Sequence, residues 1–311
     1  MKIFLIGKTG GVTHWLEDAA TAFRAAGHKV RVGAVRRAWL NLAIESALAE
    51  PLAASMAAAV ARVSPDLILV IGGFHAPTVF LERLAALPGR APLVGWVGDR
   101  FDETASRAAG LYDLVAYTDS GLAARHAELG LASTAIFLPH AANAGPAPPA
   151  GPRTPRMVFV GNATPGRRAV LRRIDSPVAV YGPGWASERG SHHDVHPARA
   201  PHREVAELYA RHLAALNLRN ELNVLGGLNQ RSFDPCLSAT PVVTDDQPDL
   251  DLCFDRDSEV LVWRDTDALN ALYDRILRFP AEAARVGEAG RRRVLADHTF
   301  ERRLATLMRA L

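Results

Sequence analysis

Short apolar segments alternate with longer amphipathic segments along the first half of the chain, which is the pattern of a parallel sheet covered by helices on both faces. The apolar segments predict strands at 2–6, 29–33, 67–71, 93–97, 114–117 and 134–138. The periodicity between them predicts helices at 13–26, 40–62, 78–87, 102–109 and 120–129. Ligands of such sheets bind at the carboxyl ends of the strands.

A run of Pro, Gly and Ala without hydrophobic period occupies 141–155 and predicts an extended, stiff connector. The alternation then resumes, with predicted strands at 157–160, 178–181, 213–218, 242–244 and 260–263. Predicted helices lie at 167–173, 203–211, 230–238, 266–279, 281–297 and 299–310. We therefore expect an α/β chain with two Rossmann-like domains whose parallel sheets face each other across a cleft. The expected boundaries are 1–141, a linker at 142–156, 157–297 and a closing helix at 298–311.

The composition supports two globular domains and argues against nucleic acid as a partner. The chain has 311 residues, of which 49% are hydrophobic and 22% charged, with a net charge of only +3. Its longest basic run, Arg291–Arg293, is short and fits a solvated helix face.

The cysteine pattern and the N-terminus bear on the compartment. Cys236 and Cys253 form neither a C-x-x-C motif nor a disulfide framework. The segment MKIFLIG lacks the hydrophobic region and cleavage site of a signal peptide, and no stretch is apolar enough to span a bilayer. We expect a cytoplasmic protein without a transmembrane segment.

The segment from Gly226 to Asp245 carries the clearest candidate chemistry. Its glycines precede a predicted helix whose first N–H groups would favour a diphosphate, with Arg231 close enough to add a charge-assisted contact. One turn further along, Asp234 could accept hydrogen bonds from a ribose diol. The alternative is a capped helix followed by a buried strand, without a ligand.

Four motifs of the second half together resemble the spore-maturation CgeB-like glycosyltransferases, which are similar to group 1 glycosyltransferases of GT-B fold. They are the string N-x-R-x-F-D at 229–234, FVGN at 159–162 followed by Arg167, YGPGW at 181–185, and the ending EAGRRRVLADHTFERRL. The resemblance covers most of 157–311. In the first half it rests on PDLILVIGG, the W-x-x-D of 96–99, YDLVAYTD and LPHAAN.

The resemblance implies a donor site in the second domain and an acceptor site in the first. It places a nucleotide-sugar donor at three groups of residues: Asn229, Arg231 and Asp234; Gly161, Asn162 and Arg167 near the diphosphate; and Tyr181, Gly182 and Gly184 near the base. Two departures from the family leave the sugar and the stereochemistry open. Asp234 replaces a ribose-binding Glu, and Gly226 stands where many retaining relatives carry a second Glu.

The first domain offers three candidate positions at predicted strand ends. Gly10 and Gly11 follow the first strand, so their amides could face the cleft, or they could form only a packing turn. His75 and Asp99 each follow a strand and have the chemistry of a base or of an acceptor-orienting group. A structural role is the alternative for both, and more so for His140.

Two further features leave alternatives open. The cluster His192, His193, Asp194 and His196 lacks the helical spacing of a zinc site, so we expect no bound metal. The apolar period of the closing helix fits either packing on its own domain or a return to the first domain, as the resemblance implies.

Taken together, the sequence predicts a metal-independent glycosyltransferase that has no cofactor besides its nucleotide-sugar donor and acts on an acceptor of unknown class. The alternatives are a sugar-nucleotide epimerase or hydrolase of the same fold, and a non-catalytic bilobal binding protein. Turnover of the donor without an acceptor would indicate the epimerase or hydrolase. Binding of the donor without turnover would indicate the binding protein.

Overall fold

The computed structural model describes residues 1–9, 14–36, 42–73, 76, 78–98, 108–144, 151–220 and 224–311. The chain divides into two compact units. The first unit comprises Met1–Pro139 together with Phe300–Leu311, and the second comprises His140–Thr299. Among the described residues, no helix is both long enough and apolar enough to cross a membrane.

The first unit is built on a parallel sheet of six strands: β1 (Lys2–Thr9), β2 (Lys29–Arg36), β3 (Leu67–Ile71), β4 (Leu93–Val97), β5 (Leu114–Tyr117) and β6 (Thr134–Phe137). They lie in the order β2-β1-β3-β4-β5-β6. The helices of this unit are Trp15–Ala25, Leu42–Val63, Thr78–Ala85, Ser120–Glu128 and Phe300–Ala310. Every residue of β3, β4 and β5 is buried, as expected of central strands that helices cover on both faces.

The closing helix Phe300–Ala310 belongs to the first unit. The buried ring of Phe300 packs edge-on against Phe23 and Trp96, with centroid distances of 6.3 and 5.9 Å. Arg303 donates from Nε to the carbonyl oxygen of Pro139 over 2.8 Å. The last helix is therefore part of the first unit's core.

The second unit has its own parallel sheet of six strands: β7 (Thr154–Val160), β8 (Val178–Tyr181), β9 (Asp194–His196), β10 (His212–Asn217), β11 (Val242–Asp245) and β12 (Leu261–Trp263). They lie in the order β12-β11-β10-β7-β8-β9. Its helices are Pro165–Leu171, His202–Arg211, Asp234–Leu237, Thr266–Arg278 and Pro280–Asp297. A cluster around Phe159, Trp185 and Tyr273 forms the core between the sheet and the helices on one face.

The predicted strands all occur, but some boundaries differ. Strand β7 begins at Thr154, inside the predicted connector, because Arg153 anchors the chain there through hydrogen bonds to the carbonyl oxygens of His212 and Ser238. Strand β9 was not predicted, because its three residues, Asp194–His196, contain only one apolar side chain.

The predicted helix 230–238 is the clearest error of secondary structure. The segment forms a 3-10 turn at Gln230–Ser232, followed by the four-residue helix Asp234–Leu237. The side chain of Asn229 accepts the N–H of Arg231, so it caps the turn rather than a long helix. The predicted helix 102–109 lies outside the described residues up to 107.

Candidate functional site

The strand order of the second unit places a topological switch point between β7 and β10. The chain moves outward from β7 to β9 and then returns to β10, from which it continues in the opposite direction to β12. In open α/β sheets the crevice outside the carboxyl ends at such a point is the usual ligand site. Gly161 follows β7 and Leu218 follows β10, so the loops that begin there bound the crevice.

The glycines of the β7 and β8 loops are required by close backbone packing. Gly182 has a φ of +146°, and a Cβ atom there would lie 2.2 Å from the carbonyl oxygen of Gly161. Gly184 has a φ of +87°, and its Cβ would lie 3.1 Å from that of Ala163. The indole Nε1 of Trp185 donates to the carbonyl of Gly161 over 2.8 Å. The motif at 181–185 therefore holds the loop after β7 in place.

Arg167 links the two loops of the switch point. It is only 4% exposed and its guanidinium stacks over the ring of Phe159. Its Nε donates to the carbonyl oxygens of Leu218 and Arg219, at 3.1 and 3.2 Å, and its Nη1 donates to that of Asn162 at 3.0 Å. The structure thus places the predicted diphosphate contact Arg167 at the switch point, where backbone carbonyls occupy Nε and Nη1.

Arg231 differs from Arg167 in its hydrogen bonding. Its guanidinium lies over the ring of Phe159, and its Nη1 would be 3.4 Å from a Cβ atom on Gly161. Within the described part of the chain the guanidinium donates no hydrogen bond, and Nε is buried without a partner. Burial lowers the pKa of Arg231, while the nearby Tyr209 and Asp234 act in the opposite direction. A half-buried cation with unused donors is a strong anion-binding group.

The backbone N–H groups of the turn before Asp234 are already used, contrary to the expectation of free amides at a helix start. The N–H of Arg231 bonds to the Asn229 side chain, that of Ser232 to the Asn229 carbonyl, and that of Phe233 to the carbonyl of Gln230. A diphosphate contact from these three residues must therefore come from their side chains.

Asn217, the last residue of β10, is a polar residue of this site that was not predicted from the sequence. It is 1% exposed. Its Oδ1 accepts from Asn229 at 3.0 Å, and its Nδ2 donates to Ser232 at 3.0 Å and to Thr244 at 3.2 Å. Asn217 therefore fixes the turn that carries Arg231 to the ends of β10 and β11. A polar residue at the end of an otherwise apolar strand was the signal for it.

A cavity of about 310 Å³ opens at the carboxyl ends of β10, β11 and β12. Its walls are formed by Gly166, Arg167, Val170, Leu218, Arg219, Asp245, Asp246, Trp263 and Arg264. Of these residues, only Arg167 was predicted from the sequence to be a site residue. The pair of acidic residues directly after an apolar strand was the available signal.

Asp245 is the most perturbed carboxylate of this cavity. Its side chain is 13% exposed, and burial raises its pKa to about 6 even though Arg219 opposes the shift. Its Oδ1 accepts from Gln247 at 3.1 Å and from the backbone N–H of Arg219 at 3.3 Å. Its Oδ2 lies 3.3 Å from Nε of Arg219.

The remaining predicted residues of the second unit do not line this cavity. Tyr181 stacks flat on His196, with ring centroids 4.3 Å apart. The rings of His192 and His193 bond to the carbonyls of Ile174 and Leu171, so backbone contacts occupy them. Asp234 is half-buried at the start of its helix. Burial raises the pKa of Tyr209, and the charge of the nearby Asp234 adds to this rise.

The candidates of the first unit cannot be placed. Gly10, Gly11, His75 and Asp99 all lie outside the described residues. Among the described residues, no group of three or more His, Cys, Asp and Glu side chains is arranged to hold a metal ion.

A family model described as glycosyl transferase-like matches residues 166–309. This range contains Arg167, Asn229, Arg231 and Asp234. The match covers just under half of the chain. No curated protein sequence gives a significant match.

Three solved structures share the fold over nearly the whole chain. A sucrose-phosphate synthase from Thermosynechococcus elongatus has a TM-score of 0.71 at 15% identity, covering 100% of this chain and 98% of its own. HepE from Anabaena, in complex with UDP-glucose, has a TM-score of 0.69 at 13% identity, covering 100% of both chains. A glycosyltransferase from Rickettsia africae has a TM-score of 0.66 at 9% identity, covering 99% and 97%.

These likenesses establish the fold, which is the α/β GT-B fold with two parallel six-stranded sheets. The family match and the neighbouring folds together support a glycosyltransferase enzyme. The narrower CgeB-like resemblance stays a prediction.

Proposed function

We propose that this chain transfers a sugar from a nucleoside-diphosphate donor to an acceptor hydroxyl, with the donor held by the second unit. The observation that carries the proposal is the guanidinium of Arg231. It is half-buried beside the Gly161 loop at the switch point and, among the described residues, donates no hydrogen bond. A protein that buries part of a cation without a partner gains from an anion at that place.

In the proposed reaction the acceptor oxygen forms a bond to the anomeric carbon while the bond between that carbon and the diphosphate oxygen breaks. The hydroxyl proton passes to a base and the diphosphate leaves as an anion. Arg231 would stabilise the charge that develops on the leaving group, so that it performs the task a metal ion has in other transferases. Metal independence is part of the proposal.

The other residues have supporting roles in this scheme. Arg167 holds the loops after β7 and β10 in register, and Asn229 fixes the turn that carries Arg231. Asp234 would accept hydrogen bonds from the donor ribose. His75 and Asp99, which follow β3 and β4, remain the proposed acceptor-side groups of the first unit.

The test is calorimetric titration with UDP, dTDP, GDP and ADP, in the presence and absence of EDTA. UDP is included first because HepE, which shares the fold, was solved with UDP and UDP-glucose. At least one nucleoside diphosphate should bind, and EDTA should leave its Kd unchanged. In Arg231→Ala the loss of a charge-assisted contact should weaken binding by about 1.5–3 kcal/mol, roughly ten- to 150-fold.

Arg292→Ala is the matched control, because it removes the same charge from an exposed position of the same unit. It should leave the Kd unchanged. If the two variants weaken binding equally, the effect is one of net charge and Arg231 is not the diphosphate contact. If EDTA abolishes binding and Mg²⁺ restores it, the metal-free scheme is wrong.

Product analysis separates the proposed transfer from its alternatives. With the matching nucleotide sugar, a transferase releases nucleoside diphosphate fastest in the presence of an acceptor. Release of free sugar or of an epimer at the same rate without any acceptor would indicate a hydrolase or an epimerase. Binding without release against a broad acceptor panel would indicate a binding protein.

A further inference from the structure

The cavity at the carboxyl ends of β10, β11 and β12 is not accounted for by the proposed donor site. Gly161, Arg231 and Asp234, which have donor roles in the proposed scheme, do not line it. Arg167 does line it, but backbone carbonyls already hold its Nε and Nη1. The volume of about 310 Å³ lies at the lower end of small-molecule sites, which have about 300–1,000 Å³, and suits a small ring compound.

The acidic side chains of the cavity are paired with arginines. Oδ2 of Asp245 lies 3.3 Å from Nε of Arg219. Oδ2 of Asp246 accepts from Nε of Arg264 at 3.0 Å, and its Oδ1 accepts from Arg256 at 2.6 Å. An anion would compete with these carboxylates for the arginines, and a cation would compete with the arginines for the carboxylates. A neutral ligand can bind without breaking any of these pairs.

Buried polar residues next to the cavity hold Asp245 in place. Nε2 of Gln247 donates to Oδ1 of Asp245 at 3.1 Å and to Oγ1 of Thr244 at 3.3 Å. Nδ2 of Asn217 donates to the same Thr244 hydroxyl at 3.2 Å. Gln247, Thr244 and Asn217 are all buried. The cavity therefore presents a carboxylate in a fixed position, which lowers the cost of ordering the site when a ligand binds.

Hydrogen-bonding capacity remains at the cavity after these contacts. Among the described residues, Oδ2 of Asp245 has only the ion-pair contact with Arg219. Trp263 lines the cavity and is 7% exposed, and its buried indole N–H has no partner within the described part of the chain. Val170 and Leu218 add apolar surface. A ring with neighbouring hydroxyl groups matches this lining, because each hydroxyl both donates and accepts while the C–H groups pack on apolar side chains.

We propose that this cavity is a second binding site, separate from the donor diphosphate, for a neutral sugar ring. Asp245 accepts hydrogen bonds from the sugar hydroxyls, and the Arg219 guanidinium and the Trp263 indole N–H donate to sugar oxygens. This inference goes beyond the proposed function, because it gives the second unit a ligand in addition to the donor.

The experiment is saturation-transfer NMR at pH 7.5 with glucose, galactose, mannose and N-acetylglucosamine, with Kd values from titration of the full chain. At least one sugar should bind with a Kd of about 1 mM or tighter. Asp245→Asn removes a charged acceptor and should weaken binding about tenfold. Arg219→Gln should weaken it as well, and it provides a second variant if Asp245→Asn folds poorly. Asp255→Asn removes a carboxylate that is 72% exposed outside the cavity, and should leave the Kd unchanged.

Competition distinguishes this site from the donor site and from an anion site. Saturating UDP, dTDP, GDP or ADP should leave the Kd of the sugar unchanged, and so should inorganic phosphate. The proposal is overturned if none of the four sugars binds, or if both Asp245→Asn and Arg219→Gln retain the wild-type Kd. It is also overturned if a nucleoside diphosphate or phosphate displaces the sugar. Sugar binding by a protein that binds none of the four nucleotides would support this proposal and contradict the proposed function.

Discussion

Burial of Asp245 predicts that the stability of the second unit depends on pH in a specific direction. The side chain is 13% exposed, and burial raises its pKa from an ordinary value of 3.8 to about 6. Between these two values the folded protein retains a proton that the unfolded chain has released. The free energy of unfolding must therefore fall as the pH rises from about 4 to about 6.

The magnitude follows from the size of the shift. A change of about two pKa units, at roughly 1.4 kcal/mol each, amounts to about 3 kcal/mol for this group. Asp245→Asn removes the titrating group. Because part of this change falls below pH 4.5, the free energy of unfolding of the variant, minus that of the wild type, should increase by about 2 kcal/mol from pH 4.5 to pH 7.5.

The assay is urea unfolding of both proteins at several pH values from 4.5 to 7.5. Hydrogen exchange of peptides from β11 assigns the transition to the second unit, since two compact units can unfold in separate transitions. Asp251→Asn is the matched control, because that carboxylate is largely exposed. A difference between Asp245→Asn and the wild type that stays constant over the whole pH range would refute the reasoning.

Three further substitutions test other parts of the structure. Gly182→Ala places a methyl group 2.2 Å from the Gly161 carbonyl and should cost at least about 2 kcal/mol in urea unfolding, whereas Gly190→Ala, also at positive φ but in open space, should cost clearly less. Equal costs would assign the effect to backbone strain alone. Asn217→Ala removes its hydrogen bonds to three side chains, Asn229, Ser232 and Thr244, and should cost about 2 kcal/mol, with a weaker Kd for nucleoside diphosphate; an unchanged Kd would separate Asn217 from the site. Phe300→Ala should lower the stability of the first unit by about 3–5 kcal/mol, seen as faster hydrogen exchange in β4; faster exchange only in the second unit would contradict the assignment of the closing helix.

The strands were predictable because each central strand is a short, continuous apolar run. Strands β3, β4 and β5 have the predicted boundaries. Both faces of each strand are buried, so no polar residue interrupts the apolar run. Strand β9 was missed for the opposite reason. At the edge of its sheet Asp194 and His196 are partly exposed, so the segment resembles a loop in sequence.

The local pattern of the segment around Arg231 did not predict its 3-10 turn. Its apolar spacing is compatible with a long helix, but the Asn229 side chain is held by Asn217, which lies twelve positions earlier at the end of β10. This contact and the cap that Asn229 provides fix a 3-10 turn instead. The hydrogen bond between Asn229 and Asn217 is a tertiary contact, so the sequence of the segment alone does not predict it.

Arg167 and Arg231 carry the same guanidinium group but make different hydrogen bonds in the fold. The resemblance places Arg167 near the diphosphate, and the chemistry of its segment predicts the same contact for Arg231. Both guanidinium groups lie over the ring of Phe159. Arg167 donates hydrogen bonds to three backbone carbonyls, so the loss of Arg167 should first damage the geometry of the loops. The guanidinium of Arg231 makes no hydrogen bond among the described residues, so the loss of Arg231 should first damage ligand binding. Arg167→Ala should therefore lower the melting temperature together with affinity, whereas Arg231→Ala should lower affinity with a smaller change in melting temperature. Melting temperature and Kd are measured for both variants. Equal losses of melting temperature in the two variants would contradict this distinction between a structural arginine and a ligand-binding one.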